Sequence, residues 1–287
     1  MEISRRDFIK GGAGATGLLL LTPTAMAMAK NSQTSAGKAM LIDVTKCVSC
    51  WWCYAACKEY NRLPETGKPD LKNPPALSPD VWTTLHPEEK AGGWVSRKKA
   101  CNHCTNAACV EVCPTGALSY NEMGFVQYDR EKCSGCGYCA EFCPFDVPQM
   151  ETNKVTGVAI MNKCTFCHDR VANGESPACA AACTTGAIKY GDRNDLIAEA
   201  EDRVSDLQKS NGQASVYGVD ELEGLHVMYI LDDSPEIYGL PVDPEVPATN
   251  TIRDVLKWLG SGLAIAAVAG FGLNYLVARL RMKRGEK

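Results

Sequence analysis

The chain has 287 residues, 45% hydrophobic and 22% charged, the make-up of a globular protein, which excludes intrinsic disorder and fibrous repeats. A net charge of -4 argues against nucleic acid as a partner, because phosphate binding needs a clustered excess of Lys and Arg. Sixteen cysteines, all between Cys47 and Cys183, exclude an ordinary enzyme core and point to a disulfide scaffold or a metal protein.

In chain order, residues 1–29 come first. Arg5-Arg6 precede a mild apolar run rich in Gly and Ala, with small-residue cleavage positions after Ala27 or Ala29. This pattern predicts a twin-arginine export signal. Gly11, Gly12, Gly14, Gly17 and Pro23 make it a poor permanent membrane span. The first cysteine run follows, and then residues 62–99 with six prolines, which predict an irregular covering loop. Residues 117–128 read as strand, turn and strand between the second and third runs. After the fourth run, Leu196, Ile197, Ala200, Val204 and Leu207 predict an amphipathic helix over 192–210. Residues 232–250 are Pro-rich and acidic, which predicts an extended tether.

The segment 255–280 closes the series. Trp258 to Ala278 carry no charge and are flanked by Lys257 and Arg279. At ~1.5 Å per residue the stretch reaches ~32 Å, enough to cross a ~30 Å hydrocarbon core. The basic tail after Arg279 puts the C-terminus on the cytoplasmic side and the head outside. Gly260, Gly262, Gly270 and Gly272 allow close approach of a second membrane helix.

The cysteines divide into four runs with none left over. Cys47, Cys50, Cys53 and Cys57 are spaced C-x2-C-x2-C-x3-C, and Cys133, Cys136, Cys139 and Cys143 repeat that spacing before Pro144. Cys101, Cys104, Cys109 and Cys113 give C-x2-C-x4-C-x3-C, and Cys164, Cys167, Cys179 and Cys183 give C-x2-C-x11-C-x3-C. Disulfide scaffolds spread their cysteines to staple distant loops, and these are clustered. Zinc needs four ligands but no third cysteine at a two-residue gap. The remaining spacing is that of bacterial ferredoxins, in which three cysteines hold one [4Fe–4S] cube and the fourth ligates the other.

Because the fourth cysteine crosses over, the runs must pair. Runs two and three are adjacent, so runs one and four are left for each other. An internal echo supports duplication: Cys113-Pro114-Thr115-Gly116-Ala117-Leu118 against Cys183-Thr184-Thr185-Gly186-Ala187-Ile188. The expected fold is α+β, with two nested ferredoxin-like modules and one C-terminal transmembrane helix. Residues 40–99 and 156–191 would form the first module, 100–155 the inserted second, and 192–250 the helix and tether.

Four cubes are then expected, on four ligand sets: Cys47, Cys50, Cys53 with Cys183; Cys164, Cys167, Cys179 with Cys57; Cys101, Cys104, Cys109 with Cys143; and Cys133, Cys136, Cys139 with Cys113. No Ser-His-Asp set, P-loop or dinucleotide fingerprint accompanies them, so no catalytic residue is expected. Lys46, Lys99, Lys132 and Lys163 precede cysteine runs, where cations would favour the reduced, more negative cluster. With ligand counts complete, His103 and His168 are expected to pack or hydrogen-bond, and Trp51, Trp52 and Tyr54 to shield a cluster.

The four-run pattern resembles the electron-transfer (beta) subunits of molybdopterin oxidoreductase complexes, from Met40 to about Lys287. Cys57-Lys58-Glu59-Tyr60-Asn61, Trp82-Thr83-Thr84, Leu225-His226-Val227-Met228-Tyr229-Ile230 and Tyr238-Gly239-Leu240-Pro241 most resemble formate dehydrogenase beta subunits. The resemblance implies a separate catalytic molybdopterin subunit carrying molybdenum or tungsten, and a membrane cytochrome b or other quinone-reactive partner. The chain's own export signal departs from many formate dehydrogenase beta subunits and keeps two alternatives open: a membrane-bound hydrogenase subunit, or one from a sulfur-compound or nitrate-type reductase.

Overall fold

The computed structural model describes residues 37–90, 93–246, 262, 267–277 and 279–280. The chain divides into two units, Gln33–Pro247 and the two termini, Met1–Ser32 with Ala248–Lys287.

The larger unit is organised by a four-stranded sheet. Strand β1 (Lys38–Asp43) lies at its centre, antiparallel to β8 (Ile188–Asp192) and parallel to β10 (Val227–Leu231), which in turn pairs with β9 (Ser215–Tyr217). The core strands KAMLID and VMYIL are nearly continuous apolar runs because both of their faces are covered. Ala39, Leu41, Met228 and Ile230 pack against one face of the long helix Arg193–Gln208, where Leu196, Ala200 and Val204 recur every four residues. On the opposite face, Met40, Ile42, Tyr229 and Leu231 enter the cluster that contains the cysteines. Arg193 locks this arrangement from inside: its guanidinium donates to the carbonyls of Leu225, Gly218 and Val219 at 3.0, 3.2 and 3.1 Å.

Everything between β1 and β8 is carried as an insertion. Three two-stranded hairpins stand in it: β2 (Thr84–Lys90) with β3 (Gly93–Lys99), β4 (Leu118–Tyr120) with β5 (Val126–Tyr128), and β6 (Gln149–Thr152) with β7 (Ala159–Asn162). Short helices follow the cysteine wraps: α1 (Trp52–Asn61), α2 (Ala108–Glu111), α3 (Tyr138–Glu141), α4 (His168–Ala172) and α5 (Ala178–Ala181); the long helix is α6.

Two expectations need correction. The stretch 62–99 is not irregular throughout, since 84–99 forms a hairpin. A two-stranded ribbon has only edges, so Pro87, paired with Ser96, is tolerated there. The tether also begins later than residue 232. Pro235–Tyr238 forms a turn on the head, Tyr238 and Leu240 are buried, and Arg97 donates to the Tyr238 carbonyl at 2.6 Å. The apolar side chains inside that acidic stretch outweigh its extended composition.

The expected signal at 1–29 lies outside the described residues, as does much of 255–280. Among the described residues no helix is long and apolar enough to cross a membrane. Residues 267–277 are helical, and Val268, Phe271, Leu273 and Tyr275 are exposed.

Candidate metal centres

All four cysteine runs open with the same backbone device. The residue just before the second cysteine has a positive φ: Ser49 at 55°, His103 at 48°, Gly135 at 70° and Phe166 at 60°. This left-handed step helps turn successive N–H groups towards a concave, anion-accepting site. It costs an L-residue roughly 1–2 kcal/mol, so three of the four wraps store strain for the sake of that concavity. Runs one and three match further, with Trp51 and Gly137 both left-handed at 65° and 79°.

Of the two wrap glycines, Gly135 is the one where no side chain fits. A Cβ there would lie 2.1 Å from the carbonyl oxygen of Ala159, whereas at Gly137 nothing lies within 4 Å. Gly135→Ala is therefore expected to lose about 3 kcal/mol or more of stability, and Gly137→Ala only about 1 kcal/mol. Thermal unfolding of the two variants checks this, and equal losses would contradict the wrap geometry.

The internal duplication reaches atomic detail. Asp43 and Asp129 each accept a hydrogen bond from the backbone N–H two residues on, at 3.0 Å, and each pairs with the lysine three residues on. The short turns they cap, Val44–Lys46 and Arg130–Lys132, deliver Cys47 and Cys133. At the other end of each module, Thr115 lies 3.7 Å from the sulfur of Cys113 and Thr185 3.7 Å from that of Cys183. Gly116 and Gly186 share a φ of 66°. The backbone N–H groups of Asp43 and Asp129 donate to Ala187 and Ala117, both at 2.8 Å, joining the equivalent halves.

The cysteines gather across runs. Cys47, Cys50, Cys53 and Cys183 line one cavity, with Trp51, Trp52, Leu85 and Lys98. Cys57, Cys164, Cys167 and Cys179 line a second. Cys113, Cys133, Cys136 and Cys139 line a third. In the remaining group, Cys104 is pushed well up, first by burial and then by the neighbouring thiols of Cys101, Cys109 and Cys143. Burial likewise raises Cys53 and Cys167 to about 12, and Cys139 and Cys143 to about 11. Without metal these sulfurs are thiols, and binding iron displaces their protons. Among the described residues no three His, Cys, Asp or Glu converge closely enough to hold a single metal ion. Each of these three cavities is lined by four cysteines drawn from two runs, a thiol set of the kind that holds a [4Fe–4S] cube.

Buried polar side chains border the same cavities. The Thr83 hydroxyl borders the Cys57 group and faces the Cys57 sulfur, the Tyr128 hydroxyl borders the Cys133 group and faces the Cys133 sulfur, and the Lys98 ammonium, beside the Cys47 group, has no hydrogen-bond partner. Buried polar groups are almost always satisfied. An unpartnered ammonium beside four thiols, with two hydroxyls turned to thiol sulfurs, fits acceptor sulfurs supplied by a bound cluster.

The sequence-level candidates sort as follows. His103 is buried against Phe125 and Phe166, with Nδ1 3.1 Å from the Val126 carbonyl, so it is a packing residue. His168 is partly exposed beside Asp169. Trp51 and Trp52 border the Cys47 cavity, but Trp52 is 58% exposed and is an incomplete shield. Lys46 and Lys132 are surface residues paired with Asp43 and Asp129. Lys163 is buried and donates to the carbonyls of Cys164 and Val126 at 3.0 and 3.3 Å. Sequence reasoning named Lys99 and missed its neighbour Lys98, which is the fully buried one. Ser96-Arg97-Lys98 are all buried in a string of polar letters, so no apolar alternation could have signalled it.

Known protein families agree with this geometry. One 4Fe-4S dicluster domain matches residues 93–193, a second matches 46–117, and a twin-arginine translocation pathway signal sequence matches 2–22. With sixteen cysteines on ferredoxin-like modules, these matches define an exported iron–sulfur protein that transfers electrons through [4Fe–4S] clusters. The chain is 40% identical over 258 residues to the formate dehydrogenase iron-sulfur subunit of Haemophilus influenzae, covering 81% of this chain and 79% of that one. It is 39% identical over 256 residues to the nitrate-inducible formate dehydrogenase iron-sulfur subunit of Escherichia coli K12, covering 83% and 84%. It belongs to the family of formate dehydrogenase iron–sulfur subunits. The hydrogenase-2 operon protein HybA of Escherichia coli O157:H7 is also similar, at 35% identity over 224 residues, 71% of this chain and 67% of that one.

Proposed function

We propose that the chain links a catalytic molybdopterin subunit, which oxidises formate, to a membrane cytochrome b or other quinone-reactive subunit. The four ligand sets proposed for its cubes are crossed: Cys47/50/53/183, Cys57/164/167/179, Cys101/104/109/143 and Cys113/133/136/139. When bound, each cube supplies a one-electron redox site at a potential set by its surroundings.

The closeness of thiols from successive sets, with exposed cysteines only in the first and last, supports the reading. Burial and then like charge from Cys179 act to raise Cys53, and Cys164 does the same to Cys57 and Cys101; Cys109 is raised with a contribution from Cys139. These neighbouring thiols support an order from Cys47/50/53/183 through Cys57/164/167/179 and Cys101/104/109/143 to Cys113/133/136/139. Only the two terminal sets contain an exposed cysteine, Cys50 and Cys136. A covered line with two open ends suits a conductor between two partners.

The membrane contact would be made by the 255–280 segment, with the head on the periplasmic side and the C-terminus cytoplasmic. Its uncharged run and the exposed apolar side chains of its helical residues 267–277 support that placement.

The donor is tested on the intact complex, isolated anaerobically and observed by electron paramagnetic resonance. Formate is expected to develop the signals of reduced clusters within seconds and hydrogen to leave them silent. Reduction by hydrogen and not by formate would favour the hydrogenase reading, which the HybA similarity keeps as the second candidate.

A further inference from the structure

Lys98 stands apart from the other buried cations of the head. The Arg97 guanidinium donates to the Tyr238 carbonyl, Arg193 to three carbonyls, Lys58 to the carbonyls of Pro64 and Asp80, and Lys163 to those of Cys164 and Val126. Lys98 is 2% exposed, and its Nζ has no partner. An ammonium buried without a partner is costly, and native structures pair it with a counter-charge.

Its setting supplies one. The side chain borders the cavity of Cys47, Cys50, Cys53 and Cys183, and the thiols acting on it most strongly are Cys179, Cys164 and Cys53. These belong to both ligand sets of the first module. The strand that carries it is fixed in place: Lys98 pairs with Leu85, Tyr229 donates to its carbonyl at 3.3 Å, and Ser49 of the first wrap donates to Ser96 at 2.8 Å. Such a charge cannot swing out to solvent.

We infer that Lys98 is a positioning residue for charge, holding a fixed ammonium between the two cubes of the first module and making both easier to reduce. A cluster bound by four thiolates gains negative charge on reduction, and a nearby buried cation stabilises that state. In the second module Lys163, which also donates to the carbonyls of Cys164 and Val126, lies beside Cys101 and Cys109. The inference rests on the ligand sets proposed above.

The test is a redox titration of the intact complex followed by electron paramagnetic resonance, comparing Lys98→Met, Lys98→Gln and Lys98→Arg. In the Met and Gln proteins the reduced-to-oxidised ratio of the first-module signals at a fixed potential is expected to fall at least tenfold. For a one-electron couple that is a shift of 59 mV. Second-module signals should stay in place, and Lys98→Arg should restore the original values. Unchanged potentials with full iron content would overturn the inference. So would an equal shift in the Arg protein, which indicates shape rather than charge, or iron loss shared by all three variants. The ligand sets are judged separately, by iron counts in cysteine variants, so unchanged potentials would count against Lys98 alone.

Discussion

Replacing Cys57 and Cys164 together by alanine is expected to remove one cube, about four of about sixteen irons per chain, while replacing Cys53 and Cys57 together is expected to disturb two. The reasoning is geometric. Cys53 and Cys57 sit four residues apart on one turn of α1, yet they line different cavities. Cys57 and Cys164 are distant in sequence and share one cavity, and Cys164 is the neighbouring thiol that most raises Cys57 after burial. If each run held its own cube the outcomes would exchange: the adjacent pair would cost one cube and the distant pair two. Iron and acid-labile sulfide assays on the two double variants decide the matter, because paired substitutions read connectivity in a way single ones do not.

The second large effect concerns export. Substituting Lys for Arg5 and Arg6 keeps the charge but removes the twin guanidinium pair that the match over residues 2–22 contains. The iron-loaded head is expected to accumulate in the cytoplasm, with at least a tenfold fall in the periplasmic or membrane-associated fraction. Immunodetection after fractionation measures it. Undiminished export of the variant would show that another subunit's signal carries the chain.

How much of this was legible in the sequence depends on the range of the interaction. The strand–turn–strand 118–128 and the helix Arg193–Gln208 are local, carried by turn residues and by a four-residue apolar stripe. The cysteines that line the cavities were equally plain, because their spacing is local chemistry. The parallel pairing of Met40 with Val227 was not legible, since nothing near either strand names its partner. The hairpin Thr84–Lys99 was hidden by Pro87, and the packed turn at Pro235–Tyr238 by the acidic residues around it. The left-handed residues Ser49, His103 and Phe166 carry no glycine to announce them; only Gly135 does. Lys98 was obscured for a related reason: a buried cation reads as a surface letter until the cavity beside it is seen.

The central claim is that the cubes are held across the runs, in one covered line of four. Anomalous diffraction at the iron absorption edge, from crystals of the cluster-loaded chain, tests it most directly. Four iron peaks are expected, within Cys47/50/53/183, Cys57/164/167/179, Cys101/104/109/143 and Cys113/133/136/139, in that order along the head. A peak enclosed by the four cysteines of a single run, such as Cys47, Cys50, Cys53 and Cys57, would contradict the account.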